Sequence, residues 1–170
     1  MEKKEDGLSW NQVELDGEYS LLMNTLGVSV SKHLMDEHFT LIWANDYYYQ
    51  LIGYPKEEYE RLFRNQCDRY FVGNETVWKA IVDKVLEALA KGEQGYNLYA
   101  PMRRKDSSMI WVKLAATFTN EYYKGSRISY TVMTNVEELM QIRVEQTVTY
   151  DNIPGFIAMS SPKIALHLKK

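Results

Sequence analysis

The side chains best suited to covalent or metal chemistry in this sequence are Cys67 and three histidines, His33, His38 and His167. A thiolate beside a neutral imidazole makes a nucleophile and its base. Nothing in the spacing of Cys67, His33 and His38 brings such a pair together, so each reads as a surface or internally satisfied side chain. One cysteine excludes an intramolecular disulfide framework, and three His with one Cys do not supply a Cys/His structural zinc set. The adjacent acids Asp36-Glu37 and Glu57-Glu58 lack the further oxygen ligands a hard cation needs and read as solvated. Nine glycines are scattered singly, so no phosphate-cradling loop is present. The chain is therefore expected not to be an enzyme, with no catalytic residues and no metal.

The composition narrows the class further. Among 170 residues, 20 Lys+Arg against 23 Asp+Glu give a net charge of −3, and the pI is near 5.7. That balance argues against a nucleic-acid binder. The longest charge-free stretch, Tyr19 to Ser31, is too short for a membrane-spanning helix, which needs about 20 residues. The acidic start has no apolar run behind it and does not resemble a signal peptide. A cytoplasmic location without membrane contact is expected. Aromatics make up 13%, led by 13 Tyr, so large amphipathic rings must be placed.

The elements that would position these groups follow from periodicity and punctuation. Trp10 to Leu26 reads as a helix whose Leu15, Tyr19, Leu22 and Leu26 share a face, a candidate seam against a second copy. Gly27 ends it. Val28 to Met35 and Phe39 to Trp43 read as two strands joined by a polar turn. Asn45 or Asp46 caps a short helix through Ile52, stopped at Gly53, and Pro55 starts another. Leu62 to Phe71 reads as irregular. Asn74 caps the longest helix, to Lys91-Gly92, with Trp78, Ile81, Val82, Val85 and Leu89 on one face. Three antiparallel strands follow, over 96–103, 109–119 and 127–134, and then a helical or linker segment from Asn135 to Thr149. An α+β fold results: a five-stranded antiparallel sheet with helices on one face and an N-terminal flanking helix.

That order, with Ala44-Asn-Asp-Tyr-Tyr-Tyr-Gln-Leu-Ile-Gly-Tyr-Pro-Lys-Glu-Glu58, resembles the PAS domain family. Asn45, Tyr48, Leu51, Gly53, Tyr54 and Glu58 stand at the positions of that family's Asn-x-x-aromatic-x-x-Leu-x-Gly-Tyr helix and the Glu after it. Arg103-Arg-Lys-Asp106 and Ile110-Trp-Val112 are similar to its Lys-Asp-Gly hairpin and Trp-Val strand, with Ser107 where Gly is usual. Asn135-Val-Glu137 approximates the closing Asp-Ile-Thr. Asn24 to Val30 parallels Asn152 to Ala158, so the chain divides into a flanking helix (1–19), a PAS domain (20–139), a linker helix (140–150) and the truncated start of a second PAS domain (151–170).

The resemblance implies a sensory module that detects a small ligand or partner and relays it, through dimerisation and a C-terminal helix, to an output domain outside this chain. A histidine kinase of a two-component system or a diguanylate cyclase of cyclic-di-GMP signalling is the output class it implies. A flavin photosensor of the light-oxygen-voltage type is a distant alternative. Arg64-Asn-Gln-Cys-Asp-Arg-Tyr-Phe71 departs from that subclass, because Gln66 splits Asn from Cys and Asp68 replaces a phosphate-binding Arg. The long helix carries no His for haem. No cofactor is expected. A ligand of unspecified identity would lie among Tyr70, Trp78, Val82, Tyr99, Met102, Trp111, Leu114 and Tyr130. A homodimer is expected, and a ligand-free interaction module with a filled core is the alternative reading.

Overall fold

The computed structural model describes residues 10–139 and 141. Local chemistry sets the first turns. Helix α1 (Trp10–Thr25) ends at Gly27, which takes the left-handed conformation at φ 63°. Strands β1 (Ser29–Leu34) and β2 (Leu41–Ala44) form an antiparallel hairpin. The second strand starts two residues later than the sequence suggests. Phe39 stands in the turn at φ 46°, where no strand can continue, and Asp36 draws the turn together by accepting from the backbone N–H groups of His38 and Thr40 and from the Thr40 hydroxyl.

Asn45 joins that hairpin to α2 (Asp46–Ile52). Its Oδ1 accepts from the N–H groups of Val30 (3.0 Å) and Tyr48 (3.3 Å), its Nδ2 donates to the Val28 carbonyl (2.9 Å), and its own N–H donates to the Val30 carbonyl (3.0 Å). One buried carboxamide thus caps a helix and fixes its angle to β1. The helices α3 (Lys56–Phe63), α4 (Cys67–Tyr70) and α5 (Glu75–Ala90) follow. Pro55 stands immediately before α3, at the start the sequence suggests, and α4 lies inside the stretch read as irregular, where Arg64 and Asn65 have positive φ.

Two expectations for α5 are corrected. Asn74 makes no side-chain cap, and its buried Nδ2 has no partner. The Glu75 carboxylate instead accepts from the Gly73 N–H at 2.7 Å. The buried stripe is Val77, Ile81, Val85 and Ala88, rotated from the expected face so that Leu89 is exposed.

Strands β3 (Gly95–Arg103), β4 (Met109–Tyr123) and β5 (Ser126–Asn135) complete a five-stranded antiparallel sheet of order β2-β1-β5-β4-β3. Even-numbered residues of β3 and β4 and odd-numbered residues of β1 and β5 face the helices, as strand alternation requires. A second unit begins at Val136, and its described residues 137–139 and 141 are helical. The segments 140–150 and 151–170 assigned to a linker and a second domain lie, except for residue 141, outside the described residues.

Much of the tyrosine content is spent in one place. The fully buried Tyr59 has the rings of Tyr48, Tyr49, Tyr54, Phe63 and Tyr70 around it at centroid distances of 5.0 to 6.5 Å. Tyr48 donates to its hydroxyl at 3.2 Å. The β3–β4 turn closes over this cluster. Lys105 N–H and Arg104 Nε donate to the carbonyls of Ile52 and Leu51, which satisfies the end of α2, and Lys105 Nζ meets Glu58 at 2.5 Å. In that turn Ser107 takes φ 68° where glycine would be unstrained.

Gly95 opens β3 against the backbone of β4 so closely that a Cβ there would stand 2.0 Å from the Ala116 carbonyl oxygen. Gly95→Ala must push two main chains apart, and a loss of more than about 2 kcal/mol in urea denaturation is expected. Asn45→Ala removes the cap and leaves buried donors and acceptors unpaired, and is expected to cost about 2–3 kcal/mol in the same measurement. Unchanged midpoints would contradict both assignments.

Candidate functional site

Between the inner face of the sheet and α5 lies a cavity of about 70 Å³. Its floor is two cross-strand pairs of β1 and β5, Ser31 opposite Thr131 and His33 opposite Ser129. Small polar side chains occupy positions where central strands usually carry branched apolar ones, and the space follows from their size. The remaining wall is apolar or aromatic, including Phe71, Trp78, Ile81, Met102, Leu114 and Phe118. No charged side chain lines it.

His33 organises the polar end. Its Nδ1 is 3.2 Å from the Phe39 carbonyl, which can only accept, so Nδ1 carries the proton and Nε2 accepts from the Ser31 hydroxyl at 2.8 Å. Burial lowers its pKa to about 4, against the opposing effects of the Phe39 hydrogen bond and of Asp36. The imidazole is neutral at pH 7.

The fold does bring Cys67 to His33, with Sγ 3.5 Å from Nδ1. The contact is not a nucleophile–base pair. His33 turns a protonated nitrogen toward the sulfur, and burial pushes the thiol up to about 12 despite a hydrogen bond with Tyr59. Cys67 behaves as a small buried hydrophobe. His38 lies outside this cluster. Its Nδ1 meets Asp68 at 2.8 Å and its Nε2 meets Glu37 at 3.3 Å, and the hydrogen bond to Asp68 raises its pKa.

Of the candidate ligand residues, Trp78, Met102 and Leu114 line the cavity. The structure does not bring the others there. Tyr70 is buried in the tyrosine cluster and donates to the Arg103 carbonyl at 2.5 Å. Val82 faces a separate surface groove. Tyr99, Trp111 and Tyr130 lie on the opposite face of the sheet, the first two 45% and 39% exposed and the third beneath the Lys32 ammonium at 5.0 Å. Strand parity separates them from Met102 and Leu114, and the sequence does not say which parity faces the helices. The residues missed were Ser31, His33, Ser129 and Thr131. Their signal was the i, i+2 spacing of Ser29, Ser31 and His33 in one strand. Tyr19 and Leu22 on α1 and Leu26 just past its end are exposed, while Leu15 lies in the part of the helix described by its backbone alone.

No family model and no curated protein matches the chain. Solved structures do. A PAS domain from a two-component sensor histidine kinase superposes at a TM-score of 0.50 and 16% identity, over 73% of this chain and 99% of that one. A sensory box histidine kinase/response regulator from Burkholderia thailandensis E264 gives 0.54 at 10% identity, over 79% and 95%. A light-oxygen-voltage domain studied with a flavin analogue gives 0.52 at 17% identity, over 80% and 98%. The fold is that of a PAS domain. Within this PAS fold the inner cavity by itself does not fit a flavin. A cavity of about 70 Å³ lies far below the roughly 300–1,000 Å³ of pockets for larger ligands, no cation lines it, and the Cys67 thiol is held against His33 and Tyr59. Among the described residues no group of three or more His, Cys, Asp or Glu is placed to hold a metal ion, and no helix is long and apolar enough to cross a membrane.

A buried neutral His is a source of acid sensitivity in this fold. Its folded pKa near 4 lies below the ordinary 6.5, so the unfolded chain binds the proton first and stability falls as pH drops from 6.5 toward 4. Between pH 7 and 5 this one group accounts for a loss of about 2 kcal/mol. His33→Gln is expected to lose correspondingly less over that interval in urea titrations. Parallel losses in the two proteins would remove His33 as the cause. His38, raised by its acids, acts in the opposite sense: its contribution is present below pH 6.5 and fades as pH rises through its folded value.

Proposed function

We propose that this PAS domain is a ligand-sensing module that passes the occupancy of its cavity to a downstream output domain. The observation carrying this reading is the cavity itself, uncharged, apolar on most walls, with hydroxyls and a neutral imidazole gathered at one end. Such a lining orients a small, weakly polar molecule by a few hydrogen bonds and holds it by apolar contact. The relay is short. Ser129, Thr131 and Met133 line the cavity and belong to β5, which ends at Asn135 immediately before the helical residues 137–139. A ligand shifts the module only as far as it favours one arrangement of β5 over another. In this reading residues 20–139 form the sensor and 140–150 the relay, and the sensory kinases among the structural neighbours support the same role. A cytoplasmic kinase or diguanylate cyclase is the output class we favour.

A second reading has its own observation. Tyr19, Leu21, Leu22 and Leu26 expose apolar area on α1 and just past its end, which suits a dimer seam and an interaction module without a ligand.

Native mass spectrometry separates the two. A small bound mass is expected on the wild type and lost in Ser129→Leu, which fills the cavity floor. A dimer with no bound mass would favour the second reading, and a mass retained by that variant would remove the inner cavity as the ligand site. Absorbance beyond the aromatic band is not expected. Leu22→Asp is expected to shift the sedimentation of a dimer toward monomer, and an unchanged coefficient would remove α1 from the seam.

A further inference from the structure

A groove of about 390 Å³ opens on the surface between α5 and the β1–β2 turn. Its walls share three side chains with the inner cavity, Met35, Phe39 and Val85, which therefore border both spaces. Val85 is fixed on a buried helical face, and Met35 is unbranched and adaptable. Phe39 is the unusual member. It holds φ 46°, a left-handed conformation an aromatic residue seldom adopts, and that strain persists because the turn is anchored on every side. Asp36 ties the turn internally, the Cys67 N–H donates to the His38 carbonyl at 3.0 Å, and His33 donates to the Phe39 carbonyl. With the backbone pinned, the side chain is the part of Phe39 left to move, and its ring meets Trp78 edge-on at 5.3 Å.

The groove also carries one cation and two carboxylates, Arg127, Asp36 and Glu37. Arg127 stands at its rim, its guanidinium 5.8 Å from the ring of Phe118, which lines the inner cavity. It donates to neutral acceptors, the Thr119 carbonyl, Asn120 Oδ1 and Gln94 Oε1, and among the described residues no carboxylate lies within ion-pair distance of it. The two acids that share the groove are already engaged, Asp36 by three donors in its own turn and Glu37 by His38 at 3.3 Å. Along α5 the wall is apolar, with Leu86 and Leu89 exposed.

We propose that groove and cavity are one binding site divided by the Phe39 side chain, and that it takes a straight-chain monocarboxylate, carboxylate at Arg127 and chain threaded past Phe39 toward Trp78. Together the two spaces reach the size of small-molecule pockets, roughly 300–1,000 Å³. This rests on the reading of the inner cavity as a ligand site and names the ligand class and the way in.

Calorimetric titration of the full chain with decanoate and with 1-decanol, below micelle-forming concentrations, tests it. Decanoate is expected to bind at least about tenfold more tightly than 1-decanol, as a charge-assisted bidentate contact provides. Arg127→Gln is expected to abolish that preference and Arg127→Lys to retain much of it. Phe39→Ala, or Phe39→Leu if the alanine variant misfolds, is expected to speed association followed by tryptophan fluorescence, with Trp78→Phe removing the signal. Equal binding of the two probes, or a preference that survives Arg127→Gln, overturns the ligand class. Association rates unchanged in both Phe39 variants overturn the gate. If neither probe binds while native mass spectrometry still shows a small mass lost in Ser129→Leu, this proposal fails and the cavity reading stands.

Discussion

The structure depends first on one carboxamide. Asn45 is almost fully buried, and every polar atom of its side chain is engaged, on β1 at one end and on the first turn of α2 at the other. A buried amide with no slack in its hydrogen bonds permits a single geometry, because any rotation leaves a donor or acceptor dry. That geometry places the C-terminal end of α2 where Arg104 and Lys105 reach its carbonyls, which docks the β3–β4 turn. The tyrosine cluster fills the space so enclosed. Charge pairs such as Lys105–Glu58 decorate this arrangement and contribute little, being partly exposed.

The interior solves a different problem at the cavity. Four side chains able to hydrogen-bond, Ser31, His33, Ser129 and Thr131, sit on the β1–β5 pair, and among the described residues no charged side chain joins them in the cavity lining. The local medium keeps the imidazole neutral and the Cys67 thiol protonated, so burial silences the one pair whose residue types resemble a nucleophile and its base.

The sequence was most readable where chain direction changes. Gly53, Pro55 and Gly92 mark real boundaries because glycine and proline act through backbone geometry, which needs no knowledge of the fold. Asn45 was legible as a cap, but its grip on Val28 and Val30 was not, since that depends on a strand fifteen residues earlier. Phe39 was misread as strand because aromatic residues favour strands, while the hydrogen bonds of Asp36 impose a turn. Tyr99, Trp111 and Tyr130 looked like pocket walls because size and aromaticity were visible and facing direction was not. His33 reads from sequence as either a surface or a satisfied side chain, and its burial beside Cys67 arises from the turn and α4 meeting, a tertiary event.

The pairing of β1 with β5 has a consequence in time. Ser31 and Thr131 are 100 residues apart in sequence, so the seam that floors the cavity joins an early strand to a late one. Loop-closure entropy makes such a contact slow to form, and on the ribosome β1 must wait as an open edge until β5 has emerged. Helices and hairpins assemble ahead of it from local contacts. The polar floor therefore cannot exist before β5 has paired with β1, whatever the helices and hairpins have already formed.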